Sequence, residues 1–174
     1  MNTDPKSDDG SIARRLARLG LSLPPPIVAP GSVALPFPFV HVVGRRVFVS
    51  GHGPQAPDGS LAPLRGKLGR ELDLTQGREA ARLTALSVLG SLQRALGSLD
   101  AIGRWCRVFG MVASAPGFNR QPEVINGFSA LILEVFGDEV GLHARSAVGM
   151  AELPFDIPVE VEAEIELRDD GPLG

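Results

Sequence analysis

The segment VEVEAEIEL at residues 159–167 alternates apolar and acidic side chains over its whole length. Side chains of a β-strand point alternately to opposite faces of a sheet, so this pattern predicts a strand with one apolar and one acidic face. The acidic face carries Glu160, Glu162, Glu164 and Glu166. Like charges placed side by side on a sheet repel one another. The acidic face therefore needs compensation, which an arginine on a neighbouring strand would supply.

The size and charge of the chain narrow the class of protein. A length of 174 residues suits one domain. The single cysteine, Cys106, cannot form an internal disulfide, and beside Trp105 it is interpreted as a core residue. A net charge of −3 without a long basic run disfavours nucleic acid as a partner. Because no secretory signal and no apolar run of about 20 residues is present, we expect a cytoplasmic protein without a membrane span.

The chain divides into three parts on composition. Residues 1–30 are predicted to be a flexible leader, with a short amphipathic helix at SIARRLARLGL and a proline-rich linker at LPPPIVAPG. Residues 31–168 are predicted to form the folded domain. Residues 169–174 are predicted to be a tail.

The domain mixes strand and helix patterns. Two strands are predicted around a turn at Gly44, a second turn at APDGS, and a third strand at LAPLRGKLG, residues 61–69. Leucines at steps of three and four then predict a helix that begins near Asp73 or Thr75, and QPEVINGFSALILEVFG predicts another. Strands are predicted at RWCRVFGMVAS, HARSAVGMAEL and VEVEAEIEL. This order predicts an α+β fold with one mixed or antiparallel sheet, one face of which two helices cover. The other face is predicted to self-associate.

Several catalytic motifs are absent. Neither a G-x-S-x-G segment nor a phosphate-binding loop occurs, and no G-x-G-x-x-G follows a strand. His41, His52 and His143 are scattered, so no metal site and no cofactor are predicted. His52 is interpreted as a polar loop residue.

Three segments resemble the Rid family, also called YjgF-type proteins. They are HARSAVGMAELPFDIPVEVEAEIEL near the C-terminus, VFVSGHGP on the second strand and PEVINGFSALILEVFG on the second helix. The resemblance runs over residues 35–167 and is strongest to an endoribonuclease-like subgroup, labelled L-PSP. It implies a chorismate-mutase-like fold and a homotrimeric barrel with ligand clefts between subunits. It also implies hydrolysis of 2-aminoacrylate and related enamine or imine acids to 2-keto acids and ammonia, without a cofactor.

The resemblance also implies roles for individual residues. Arg145 would bind the substrate carboxylate, and Glu160 would position or activate water. The substrate-binding positions would be Ser50, Gly51, Asn126, the backbone of Ala147, and Phe39 (or Phe37) from a neighbouring subunit. The chain departs from the family in two respects, since it contains no tyrosine and has Ala147 in place of a cysteine.

Arg145 and Glu160 lie 15 positions apart on the last two strands. An antiparallel pairing of these strands is predicted to place both side chains on one face. A non-catalytic trimer that binds a small carboxylate is an alternative that needs only Arg145. A ribonuclease is a further alternative, which the acidic charge disfavours. Glu162, Glu164 and Glu166 are interpreted as structural or solvent-facing.

Overall fold

The computed structural model describes residues 11–27 and 35–169. Residues 1–10 and 28–30 of the predicted leader, residues 31–34 at the start of the predicted domain and the tail after Asp169 lie outside this part of the chain. The helices are α1 (Ile12–Arg18), α2 (Leu74–Leu96) and α3 (Gln121–Gly141), and the strands are β1 (Val40–Val43), β2 (Arg46–His52), β3 (Ile102–Ala113), β4 (Ala144–Met150) and β5 (Val159–Leu167).

The five strands form one mixed sheet in the order β1-β2-β5-β3-β4. β1 and β2, β2 and β5, and β5 and β3 pair antiparallel, whereas β3 and β4 pair parallel. A parallel pair needs a crossover connection, which α3 supplies between β3 and β4. This crossover places β4 on the outer side of β3, so β4 and β5 are not neighbours. The predicted α+β fold with one mixed sheet is confirmed, but the predicted pairing of the last two strands is wrong.

Both long helices begin where the sequence predicts. Asp73 caps α2 in a capping box: its carboxylate accepts from the Gln76 backbone N–H at 2.8 Å, and the Gln76 side chain accepts from the Asp73 N–H at 2.9 Å. Pro122 and Glu123 occupy the first turn of α3. Gly137 interrupts α3 with φ 73°, so the regular helix ends at the predicted glycine.

The predicted third strand at residues 61–69 is wrong. This segment forms an irregular loop, and its strand-like pairing is limited to isolated bridges of Leu61 with Gln55 and of Leu68 with Leu72 and Ser114. Gly66 and Gly69 adopt φ values of 97° and 85°, which an extended strand does not allow. The apolar pattern of the segment reflects burial, because Ala62 and Leu68 are fully buried.

The core lies between the sheet and the two long helices. It includes Trp105, Val108 and Val112 from β3, and Phe128 and Ile132 from α3. The apolar face of β5 contributes Val159, Val161, Ala163, Ile165 and Leu167, as its alternation predicts.

The leader helix α1 is packed against this core. Ile12 and Leu16 are buried, and the Ile12 backbone N–H donates to Asp100 Oδ1 at 2.8 Å. Arg15 Nη1 donates to the Val135 carbonyl at 2.9 Å. The boundary at residue 31 between leader and domain remains a prediction.

Candidate active site

Glu160 lies against Gly51, and both are predicted site residues. The register of β2 on β5 shifts between Val49 and His52, which brings Gly51 beside the side chain of Glu160. A Cβ atom at Gly51 would collide with Glu160 Oε1, so the Glu160 carboxyl group can keep this position only while residue 51 lacks a side chain. Burial raises the pKa of the Glu160 carboxyl above its ordinary value, and neighbouring Glu162 raises it further. This carboxyl group therefore takes up a proton more readily than an exposed one.

Ser50 precedes Gly51 on β2 and is hydrogen-bonded to the segment that contains Phe39. Ser50 Oγ donates to the Pro38 carbonyl at 3.0 Å, and Ser50 N–H donates to the Phe39 carbonyl at 3.0 Å. Ser50 also lines a depression of about 240 Å³ on the acidic face, together with Phe48 and Glu162 among others. The Phe39 ring instead packs edge-on against His52, 5.0 Å between ring centroids. Within one chain, the Phe39 side chain does not line the depression that contains Ser50.

Arg145, Ala147 and Asn126 form a second group on the opposite face of the sheet. Arg145 Nη1 donates to Ser129 Oγ at 3.0 Å, and Nη2 donates to the Pro122 carbonyl at 3.3 Å. The exposed Asn126 lies between these two partners on α3, one turn from each. Ala147 follows Arg145 by two positions and therefore points to the same side of β4. Burial lowers the pKa of the Arg145 guanidinium.

The two groups are separate within one chain. Arg145 pairs with Val108 on β3, whereas Glu160 pairs with Met111. Val108 and Met111 are three positions apart on β3, so their side chains face opposite sides of the sheet. Arg145 shares the side of Val108 and points to the helices, whereas Glu160 shares the side of Met111 and points away from them. Two strand spacings and three residues of rise place their Cα atoms roughly 14 Å apart. The prediction that both side chains share one face is wrong.

Other arginines compensate the acidic face. Arg46 Nη2 lies 3.1 Å from Glu164 Oε2, and Arg107 Nη1 lies 3.7 Å from Glu164 Oε1. Arg45 Nη2 lies 3.4 Å from Glu166 Oε1. The arginines of these ion pairs lie on β2, on β3 and in the turn between β1 and β2, so Arg145 has no part in them. The ion pairs offset the charges of Glu164 and Glu166, and a structural role for these two residues stays a prediction.

Two residues next to the site differ from their sequence interpretation. His52 is a fully buried strand residue and not a polar loop residue. Its Nδ1 lies 2.6 Å from the Ser50 carbonyl, and its Nε2 lies 2.9 Å from Ser91 Oγ. Cys106 is exposed and not part of the core, because the register of β3 shifts between Trp105 and Arg107 and only Trp105 points inward.

The sequence interpretation missed Ser129 and His143. His143 Nε2 lies 2.9 Å from Ser129 Oγ, so these residues extend the hydrogen bonds of Arg145. The available signal was their spacing. His143 precedes Arg145 by two positions, and Ser129 follows Asn126 by three positions on a helix.

The described ranges 11–27 and 35–169 contain no group of three or more His, Cys, Asp or Glu side chains arranged to hold a metal ion. Within the same ranges, every helix is too short or too polar to cross a membrane.

Known proteins resemble this chain over most of its length. Protein TCP17 of Trypanosoma cruzi is 43% identical over 160 residues, which cover 92% of this chain and 96% of that protein. The crystal structure of Atu1372 from Agrobacterium tumefaciens, whose function is unknown, has a TM-score of 0.79 at 39% identity and covers 90% of this chain and 92% of that one. A crystal structure from Shewanella oneidensis, described as a "putative endoribonuclease", has a TM-score of 0.82 at 29% identity and covers 91% and 100%.

A protein-family comparison agrees with these relatives. The family described as "YjgF/chorismate mutase-like, putative endoribonuclease" matches residues 13–161. The match includes β1 to β4, all three helices and the beginning of β5, and it confirms the resemblance inferred from the sequence motifs. The chain therefore belongs to the YjgF/chorismate mutase-like family.

Proposed function

We propose that this protein hydrolyses small enamine or imine acids to 2-keto acids and ammonia. The observation that carries the proposal is the placement of Glu160, whose half-buried carboxyl group occupies the space left by Gly51 and has a raised pKa. A general acid–base catalyst works best when its pKa approaches the operating pH. A carboxyl group in this environment exchanges protons more readily near neutral pH than an exposed glutamate.

Arg145 is suited to bind the carboxylate of such a substrate. A guanidinium group has five N–H donors and binds a carboxylate through two parallel hydrogen bonds. The bonds to Ser129 Oγ and the Pro122 carbonyl use two donors and hold the group against α3. The remaining donors are available to a ligand. Anchoring the substrate carboxylate in this way would fix the position of the reacting carbon.

The chemistry needs water and one group that exchanges protons. Glu160 accepts a proton from water while the water oxygen attacks the carbon of the protonated C=N group, which gives a neutral carbinolamine. The carboxyl group then returns this proton to the nitrogen. Ammonia departs as the hydroxyl oxygen forms the C=O bond of the keto acid, and the hydroxyl proton passes back to the Glu160 carboxylate. No electron is gained or lost overall, so the reaction requires no redox cofactor.

The site is proposed to form between subunits. Within one chain, Arg145 and Glu160 point to opposite faces of the sheet, so one substrate molecule cannot contact both. A closed homo-oligomer can bring the Arg145 group of one subunit next to the Glu160 group of another. A homotrimer with clefts between its subunits, which the family resemblance implies, meets this requirement. Phe39 of a neighbouring subunit would then form part of the cleft wall.

The test generates imines in solution with an amino-acid oxidase and measures their loss with and without this protein. Glu160→Gln keeps the size of the side chain but removes its proton exchange, so we expect the rate to fall by about 10²–10⁴-fold. Calorimetry should show that Glu160→Gln still binds 2-ketobutyrate. Glu166→Gln is a matched control, because Glu166 lies on the same strand but pairs with Arg45.

Arg145 variants separate the roles of charge and shape. Arg145→Ala should weaken 2-ketobutyrate binding by about ten- to two-hundredfold, the range for a hydrogen bond to a charged group. Arg145→Lys keeps the charge but loses the fork, so it should restore binding only in part. Unchanged imine hydrolysis in Glu160→Gln would refute the catalytic proposal. If wild type binds the keto acid without accelerating imine loss, the protein is a carboxylate-binding trimer instead.

A further inference from the structure

Arg145 is connected by hydrogen bonds to a histidine that the proposed reaction does not use. Arg145 Nη1 donates to Ser129 Oγ at 3.0 Å, and Ser129 Oγ lies 2.9 Å from His143 Nε2. His143 Nδ1 lies 2.7 Å from the Gly141 carbonyl at the end of α3. These three contacts connect the guanidinium group to the main chain of α3 through two side chains.

The direction of each hydrogen bond follows from its acceptors. The Gly141 carbonyl can only accept, so His143 Nδ1 carries the hydrogen. The Nε2 atom of a neutral ring then has no hydrogen and accepts the hydroxyl hydrogen of Ser129. Because that hydrogen points to His143, the lone pairs of Ser129 Oγ are available to accept from Arg145.

The surroundings of His143 keep its ring neutral. Burial lowers the pKa of His143, and the charge of Arg145 lowers it further. The ring also lies beside buried Trp105, with 6.3 Å between ring centroids. A neutral ring with a fixed tautomer is the form that can accept from Ser129.

A serine inside a helix has a competing hydrogen bond. Its hydroxyl group commonly donates to the carbonyl four residues earlier, which here is that of Ile125. In that arrangement the hydroxyl hydrogen of Ser129 would point to the main chain of α3 and not to His143. His143 supplies a second acceptor on the side of β4, and it thereby selects the orientation that presents the oxygen to the guanidinium group.

We propose that His143 and Ser129 are positioning residues that hold the Arg145 guanidinium group in the plane needed to bind a substrate carboxylate. This inference rests on the proposed function, because it assigns a ligand to Arg145. The guanidinium group has two supports, Ser129 Oγ and the Pro122 carbonyl, which together define its plane. With only the Pro122 support, the group rotates and must be ordered again at each binding event.

The test compares His143→Leu, Ser129→Ala and His143→Gln with wild type. Ordering one long side chain on binding weakens affinity by roughly 2- to 12-fold, so we expect a rise of that size in the KM for the imine and in the Kd for 2-ketobutyrate. The value of kcat should stay within about twofold, because the contact is equally strong in the ground state and the transition state. The double variant His143→Leu with Ser129→Ala should be no weaker than either single variant, since both break one chain of contacts.

His143→Gln separates positioning from packing. The glutamine amide oxygen can take the place of Nε2 as an acceptor, so this variant should recover most of the affinity. Equal weakening in His143→Leu and His143→Gln would show that the ring only fills space and would overturn the proposal. Unchanged KM and Kd in Ser129→Ala, a small change that preserves the fold, would also overturn it. His41→Leu, at an exposed histidine of β1, is the control and should match wild type.

The failure of this inference can be distinguished from failure of the proposed function. If wild type does not accelerate imine hydrolysis, the proposed function fails, but the calorimetric comparison with 2-ketobutyrate still tests the positioning role. If wild type hydrolyses imines and the His143 and Ser129 variants equal it in KM and Kd, only the positioning role fails.

Discussion

His52 is a fully buried histidine with hydrogen bonds at both ring nitrogens. Its Nδ1–H donates to the Ser50 carbonyl, so Nε2 accepts from Ser91 Oγ. Burial lowers the pKa of His52 from 6.5 to about 4, and the charge of Arg94 acts in the same direction. Between pH 6.5 and about 4, His52 therefore stays neutral in the native state, whereas it becomes protonated in the unfolded chain.

This difference predicts an acid-sensitive stability. The folded pKa is depressed, so the contribution of His52 is complete above pH 6.5 and is lost as the pH falls to about 4. The loss in free energy of unfolding amounts to about 3 kcal/mol. Urea unfolding at fixed protein concentration between pH 7.5 and 4 should show a shallower decline for His52→Gln than for wild type. Equal slopes in the two proteins would contradict the assignment.

At the scale of residues, the sequence predicts some of the site and misses the rest for a physical reason. Gly51 and Glu160 contact each other because the irregularity in β2 aligns them across its pairing with β5, and Arg145 lies on the Asn126 side of α3 because β4 packs beside that helix. The motifs of the sequence point to these residues, whereas their contacts depend on long-range packing. The placement of the two groups on opposite faces depends on the order of strands, which no local motif specifies. The contact between Ser129 and His143 depends on the same long-range packing.

At the scale of secondary-structure elements, α2 and α3 approach closely at Gly127. A Cβ atom at this position would collide with the main-chain carbonyl of Arg78 on α2. Main-chain atoms of a helix cannot move aside separately, so the two helices would have to separate. This crossing supports the part of α3 that carries Pro122, Asn126 and Ser129.

Two effects oppose each other in Gly127→Ala. Helix propensity alone favours alanine by about 1 kcal/mol. Overpacking of a close contact costs about 1–3 kcal/mol, and here the obstructing atom belongs to the backbone. We therefore expect a net loss of stability, measured by urea unfolding. Ala130→Ser, at an exposed position of α3, should change stability by less than about 0.5 kcal/mol. A gain of stability in Gly127→Ala would show that the crossing is looser than described.

Most of the helices and strands are predictable from the sequence, and residues 61–69 are the exception. α2, α3, β3 and β5 follow the periodicity and capping residues of the sequence closely. Residues 61–69 have apolar residues at strand-like spacing, but positive φ values at Gly66 and Gly69 turn the chain back on itself. Periodicity reports burial, and an irregular buried loop has the same periodicity as a short strand.

At the scale of the whole molecule, the sheet has one face that the two long helices leave uncovered. Phe48 and Val148 on this face are 37% and 36% exposed. Phe48 lies beside Glu164 of β5, and Val148 lies on the edge strand β4. Apolar residues that share a broad, exposed sheet face indicate an interaction surface. Self-association through this face would cover Phe48 and Val148. It would also place the charged residues of the same face against a second copy of the chain.

We expect the protein to be a homotrimer through this surface. Light scattering at micromolar concentration should give about three times the chain mass of 18.3 kDa. Phe48→Glu adds a charge to the uncovered face and should lower the mass towards that of the monomer. Leu142→Glu, at an exposed residue that follows α3, should leave the mass unchanged. A monomeric wild type would contradict both the assembly and the site between subunits.

Mixed trimers test whether the assembly completes the site. Arg145→Ala and Glu160→Gln each remove one group, so homotrimers of either variant should lose most of their activity at imine concentrations below KM. Co-expression with two different tags, followed by two affinity steps, isolates trimers that contain both variants. In a cyclic trimer of either composition, one cleft combines an intact Arg145 with an intact Glu160, so about one third of wild-type activity should return. A site within a single chain would recover nothing, because every chain has one defect. Recovery in the mixed trimers, with none in a simple mixture of the two homotrimers, is the result that requires the substrate to bind between two subunits.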